Sequence, residues 1–157
     1  MQCQRAWNGK GQRKAVVNKV VLVLCLFCGN CILQAYDLVV AVNGIKNQQG
    51  KIQISLYNKD GTIPDKELKN YYKTKRVKID EEKTKVVFSN LPKGRYAVSI
   101  FHDQNNNHKI DKVFFIPKEG VGLSNFKTVN LFNLPNFQKA SFLLEKDKTV
   151  QIKLIYF

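Results

Sequence analysis

Apolar residues recur at every second position along most of this chain, and that spacing commits it to strands. Leu38, Val40 and Val42 alternate with their neighbours, as do Ile52, Ile54 and Leu56 between Lys51, Gln53 and Ser55. Val86 and Phe88 follow, then Tyr96, Val98 and Ile100. Near the end come Ala140, Phe142 and Leu144, then Val150, Ile152, Leu154 and Tyr156. A strand turns successive side chains to opposite faces, so each run places one face in a core and the other toward water. Many of these residues are β-branched or aromatic, which strands prefer.

Turn residues separate the runs. Asn43-Gly44 and Gln49-Gly50 bracket the first connection, and Asn58 to Gly61 ends the second strand. Asn90-Leu-Pro-Lys-Gly94 links two main strands, and Lys146-Asp-Lys148 reads as the turn of a final hairpin. Residues 64 to 76 read as one short helix with Pro64 near its start, and Val77 to Ile79 as a further short strand. No long amphipathic helix, repeat or second domain is visible. Six or seven short strands predict an all-β, immunoglobulin-like antiparallel sandwich.

The first 35 residues have a different character. Arg5, Lys10, Arg13, Lys14 and Lys19 are basic, and no acidic residue precedes Asp37. A nine-residue apolar core, Val20 to Cys28, leads to Leu33-Gln34-Ala35. Basic start, short apolar core and small-residue exit make a secretory signal over 1–35, with cleavage expected near Ala35. The uncharged stretch Val20 to Ala35 is sixteen residues, short of the roughly 20 that a spanning helix needs. A mature domain of 36–157 is therefore expected, periplasmic or secreted, and not transmembrane.

Cysteine and charge narrow the chemistry. All four cysteines (Cys3, Cys25, Cys28, Cys31) lie in the leader, so the mature domain has no thiol catalysis, disulfide or cysteine-ligated zinc. Its 122 residues are enough for an ordinary core. Losing five basic residues from a chain of net charge +14 leaves +9. Outside the cytoplasm nucleic acid is not the expected partner; cell-envelope polyanions or another envelope protein are the candidates. Lys66 to Lys85 holds eight basic and four acidic residues around Tyr71 and Tyr72. It reads as a solvated edge in which lysines discourage strand-to-strand aggregation.

Two segments resemble known families. Phe88-Ser-Asn-Leu-Pro-Lys-Gly-Arg-Tyr-Ala-Val98 looks like the Leu-Pro-x-Gly-x-Tyr turn of transthyretin-like and carboxypeptidase-regulatory-like sandwiches. Pro92 would set one backbone angle, Gly94 would permit a left-handed one, and Tyr96 would return to the core. The stretch from Tyr96 through His102-Asp-Gln-Asn-Asn-Asn-His-Lys-Ile-Asp111, followed by Ile116-Pro-Lys-Glu-Gly-Val-Gly-Leu-Ser-Asn125, resembles the exported bacterial family called domain of unknown function 2141. Pro135-Asn-Phe-Gln-Lys-Ala140 and the final strands also fit. The resemblance implies this sandwich and export, and no established activity. His108 stands where the family pattern has Gly, and Lys112-Val-Phe-Phe115 replaces a more polar stretch.

The loop from His102 to Asp111 is the sharpest polar feature. Asp103, Asn105, Asn107 and Asp111 place oxygens at alternating positions of a calcium-loop count, with Ile110 as apolar anchor and Glu119 near enough to complete a shell. Calcium is the candidate ion. The alternative is an Asn-rich turn whose side chains hydrogen-bond its own backbone. His102, Glu119, Ser124 and Asn125 are candidate ligand-binding residues. The expected function is a non-catalytic binding or structural module. A hydrolase built on His102, Asp103 and Glu119 is the alternative, and a deep pocket holding the three together would distinguish it.

Overall fold

The alternating runs become two sheets that face each other across one apolar layer. The computed structural model describes residues 34–80, 84–114, 116–128 and 133–157, so the leader reading falls almost wholly outside the described residues. β1 (Ala35–Asn43) forms the centre of a three-stranded sheet, between β10 (Lys148–Lys153) and β4 (Lys85–Pro92). The second sheet runs β3 (Lys73–Val77), β2 (Lys51–Tyr57), β5 (Gly94–Asp103), β8 (Val121–Leu123). β9 (Phe142–Leu144) pairs with the start of β5. β6 (Lys112–Val113) and β7 (Ile116–Pro117) make a small hairpin of their own.

The chain is an all-β sandwich, as its periodicity requires. Val40, Ile54, Phe88, Tyr96, Val98, Ile100, Phe142, Ile152 and Leu154 all lie in one buried cluster between the sheets. Burying side chains of this size contributes about 1.5–3 kcal/mol each. Register follows the pattern: Ile54 pairs with Ile100 and Leu56 with Val98 in neighbouring strands, which puts their side chains on the same face.

Several expectations are corrected. No helix covers 64–76; turns occupy its first half and β3 the rest, the strand ending at Val77 rather than beginning there. Lysines and β-branched residues at Lys73-Thr-Lys-Arg-Val77 suit an exposed edge strand, and β3 is an edge. Lys146 to Lys148 does not close a hairpin, because β9 belongs with β5 and β10 pairs with β1. That last pairing is parallel. In the Leu-Pro turn the left-handed residue is Asn90 (φ 57°), not Gly94. Tyr96 does return to the core, and its hydroxyl donates to the Pro92 carbonyl at 2.9 Å, locking the passage from one sheet to the other.

The outer face of the second sheet is also covered. β2 is buried at every position after Lys51. Tyr57, Ile63, Ala97, Leu123, Phe126, Phe137 and Ala140 form a second cluster there. The four-residue helix Phe137–Ala140 packs into it, capped by the Asn136 side chain, which accepts from the Lys139 N–H. After β10 the chain crosses to bridge Val121 through Ile155, which carries Tyr156 beneath the end of β5.

Candidate functional site at the end of β5

The His102–Asp111 loop leaves the second sheet where β5 stops. His102 continues the inward row of Tyr96, Val98 and Ile100 and has no exposed surface. Its Nε2 faces the Gln49 carbonyl at 2.7 Å, an acceptor, so Nε2 carries the hydrogen. Nδ1 then accepts from the Tyr156 hydroxyl at 2.6 Å. That hydroxyl in turn accepts from the Lys46 N–H at 3.1 Å. Burial raises the Tyr156 hydroxyl above the ordinary tyrosine range, while the Lys46 amide pulls it the other way. The His102 N–H bonds the Gly120 carbonyl at 2.8 Å. The His102 imidazole thus ties the turn before β2 to Tyr156, while its backbone N–H holds the segment before β8.

Glycines admit these close approaches. A Cβ on Gly120 would lie 2.5 Å from the Tyr156 ring. Gly50 has φ +73°, and a Cβ there would collide with the Asp103 carbonyl oxygen.

Two buried carboxylates then shape the loop. Asp103 is 2% exposed; one oxygen accepts from the Asn107 N–H and the other from the His108 N–H, both at 3.1 Å. Arg76 from edge strand β3 lies 3.9 Å from Asp103, and its Nε donates to Gln53. The His108 ring stands 3.4 Å from the same carboxylate. Glu119 is 4% exposed and clasps both ends of the loop, accepting from Gln104 N–H at 2.9 Å and Asp111 N–H at 3.3 Å. Buried carboxylates with amide donors at this range are well satisfied.

The remaining polar groups serve the loop internally. Asn105 and Asn107 accept from the N–H groups of Asn107 and Lys109, two residues onward in each case. Their amide nitrogens donate to one oxygen of Asp111, at 2.6 and 3.0 Å. These are the self-bonded turns that Asn favours. Asn106 and His108 both adopt left-handed backbone, φ 58° and 65°. The position where the family pattern has Gly is thus one that favours Gly. Among the described residues no three His, Cys, Asp or Glu side chains are grouped to hold a metal ion.

Ser124 and Asn125 lie apart from this cluster. The Ser124 hydroxyl donates to the Ala140 carbonyl and accepts from the Val98 N–H. Val98 precedes His102 by four strand residues, roughly 13 Å at the usual rise, so Ser124 forms no triad with His102 and Asp103. Asn125, left-handed at φ 60°, donates to the carbonyls of Ala140 and Ser141. The Ser-Asn pair and the Asn-Phe-Gln-Lys-Ala run therefore complete each other: the first supplies donors for carbonyls at the end of the helix that the second builds.

Tyr156, Gln49 and Arg76 belong to the site and were not singled out by the sequence reading. Tyr156 was legible only as the last beat of an alternating strand. A backbone carbonyl such as that of Gln49 leaves no residue-type signal at all.

No curated protein matches the chain, and no solved structure does. A protein-family model does match, over residues 40–153, from Val40 within β1 to the last residue of β10. With the alternating strands, the acid-clasped loop and the Ser-Asn turn accounted for within that span, the chain belongs to the family described as uncharacterized protein conserved in bacteria (DUF2141).

Proposed function

We propose that the chain is an exported, non-catalytic binding or structural module whose His102–Asp111 loop is a preformed contact surface. One observation carries the reading. Buried Asp103 and Glu119 direct their oxygens to the N–H groups of Gln104, Asn107, His108 and Asp111, so the loop is shaped from beneath. Exposed Asn105, Asn106, Asn107 and Lys109 are left on top as its working face. Preorganisation of that kind lowers the ordering cost of binding. Export is supported by the order of basic, apolar and small residues in 1–35.

The hydrolase alternative has less support. His102, Asp103 and Glu119 are buried and engaged, and none of them lines the apolar cavity walled by Tyr57, Ile63, Val121 and Leu123. A calcium ion has the carboxylates of one loop in its favour. It would have to draw Asp111 and the Asn oxygens away from the amide partners that now hold the turn.

A thermal-shift screen against divalent ions and cell-wall fragments tests the proposal, since a ligand of the native state must raise its stability. A stabilising ligand is expected to lose its effect when Asn106 and Lys109 are replaced by Ala. Retention of the full shift in that variant rejects the loop as the contact surface.

A further inference from the structure

The most exposed large apolar side chains gather in one place, away from the top of the His102–Asp111 loop. Phe114 is 92% exposed, Leu134 59%, Phe157 58% and Ile116 56%, with Val113 at 45%. Leu134 and Phe157 line a cavity of about 330 Å³ whose walls include Ile63, Ile110, Val121 and Leu123. Lys112 and Pro117 line it too, and they pair with each other at the base of the β6–β7 hairpin. Val113, Phe114 and Ile116 therefore project from the cavity rim. Phe114 holds a left-handed backbone, φ 55°, which disfavours a residue with a Cβ, and it gains no burial there. A contiguous apolar patch of this kind marks an interaction surface.

The charges around the patch identify the partner. Lys66, Lys109, Lys112 and Lys118 are exposed and make no ion pair among the described residues. Nearby acids are turned to other tasks. Asp65 accepts from the Tyr57 hydroxyl and the Asn70 N–H, Asp111 holds two Asn amides, Glu119 is buried, and Glu67 pairs with Lys69. A second copy would bring the same lysines to the same face, and like charges directly opposed are unfavourable. An apolar tip flanked by free lysines matches an anionic lipid interface, where side chains enter the acyl boundary and ammonium groups meet head groups.

We propose that Val113, Phe114, Ile116, Leu134 and Phe157 form a peripheral docking surface for an anionic lipid bilayer. Val113, Phe114 and Ile116 enter the interface, and Lys66, Lys109, Lys112 and Lys118 contact the head groups. Among the described residues no helix is long and apolar enough to cross a membrane. This surface adjoins the contact face of the loop at Lys109, and its test rests on Phe114, Lys112 and Lys118, which lie outside that face.

The test is co-sedimentation with vesicles of phosphatidylcholine alone or mixed with phosphatidylglycerol. It uses the full chain and, in parallel, the chain from Gln34, which keeps every residue of both hydrophobic clusters. Binding is expected only to the mixed vesicles, and it should weaken as salt rises. Phe114→Ser should lower the partition coefficient roughly tenfold or more, the loss expected for withdrawing one Phe from the interface. Lys112→Glu with Lys118→Glu should do at least as much. All these positions are exposed, so the melting temperature should hold, and circular dichroism checks it. Equal binding to both vesicle types, or no change in either variant of the shorter chain, overturns the proposal. So does a dimer that Phe114→Ser dissociates, or binding of free single-chain fatty acid without binding of vesicles.

Discussion

The hydroxyl of Tyr156 donates to Nδ1 of buried His102 at 2.6 Å, across 54 positions of sequence. Between them lies Gly120, whose missing side chain makes room for the Tyr156 ring. The contact fastens the end of the chain to the end of β5, directly below the polar loop.

Tyr156→Phe leaves Nδ1 of His102 without its donor and the Lys46 N–H without its acceptor. A cost of about 1–3 kcal/mol is expected, read as a lower urea midpoint at unchanged slope. Gly120→Ala should cost a similar amount, about 1–3 kcal/mol, through overpacking against the ring. Combining it with Tyr156→Leu should recover part of that loss, so strictly additive effects would remove the steric account.

Asp103→Ala withdraws the acceptor from the Asn107 and His108 N–H groups at once. A loss of about 2–4 kcal/mol is expected for a buried charge-assisted pair of bonds. Hydrogen exchange should accelerate at Asn107 and His108 while Ile54 and Ile100 keep their protection. Uniform loss of protection would place Asp103 in the global core instead.

His108 stands at φ 65°. Gly adopts that backbone freely, so His108→Gly should be within about 1 kcal/mol of neutral, the lost ring contact with Asp103 offsetting relief of strain. His108→Val should cost about 1–3 kcal/mol, because β-branched side chains resist this region. Equal melting temperatures for the two variants would contradict the backbone reading.

Three tyrosine hydroxyls are pushed above their ordinary range, chiefly by burial: Tyr57, which also faces Asp65, with Tyr96 and Tyr156. Each holds its proton more tightly folded than unfolded. Their contribution is intact below the unfolded value near pH 10 and is lost as pH rises through the raised folded values. Denaturation midpoints should fall between about pH 9 and 12, and the fall should be shallower in Tyr57→Phe than in the native chain. An unchanged slope in that variant would assign the alkaline loss to other groups.

Calcium offers a direct check on how the loop is held. Asn105 and Asn107 bond their own turn and Asp111 bonds their amides, so groups of the chain itself hold the loop. Millimolar calcium, the range of weak extracellular sites, should raise the melting temperature little. A clear rise that disappears in Asp103→Ala with Asp111→Ala would establish the ion site and displace the self-supported turn.

The polar loop was only half legible in advance. Asn residues at alternating positions fit a cation shell and a self-bonded turn equally well, since both place side-chain oxygens inward. The difference rests on which atoms the neighbours present, and here backbone N–H groups face those oxygens. Ser124 and Asn125 drew notice as ligand-binding candidates, yet they bond the carbonyls of residues 139–141. Their spacing from that helix is long in sequence and carries no periodic trace. The helix expected over 64–76 fails for a related reason. Edge pairing with β2 gives Lys73–Val77 a ladder of hydrogen bonds that local propensity cannot register.

Period-two hydrophobicity by itself determined the main core strands, their inward faces and the sandwich class, because side-chain direction along a strand is a local property. Partnership was decided only by the tertiary structure. Whether β10 lies parallel to β1 or folds back on β9 depends on which apolar faces can be buried together, and either choice preserves the alternation. The same holds for His102, whose partners Gln49 and Tyr156 are each more than fifty residues away. A buried imidazole must find a donor and an acceptor, but the completed fold alone determines which distant groups supply them.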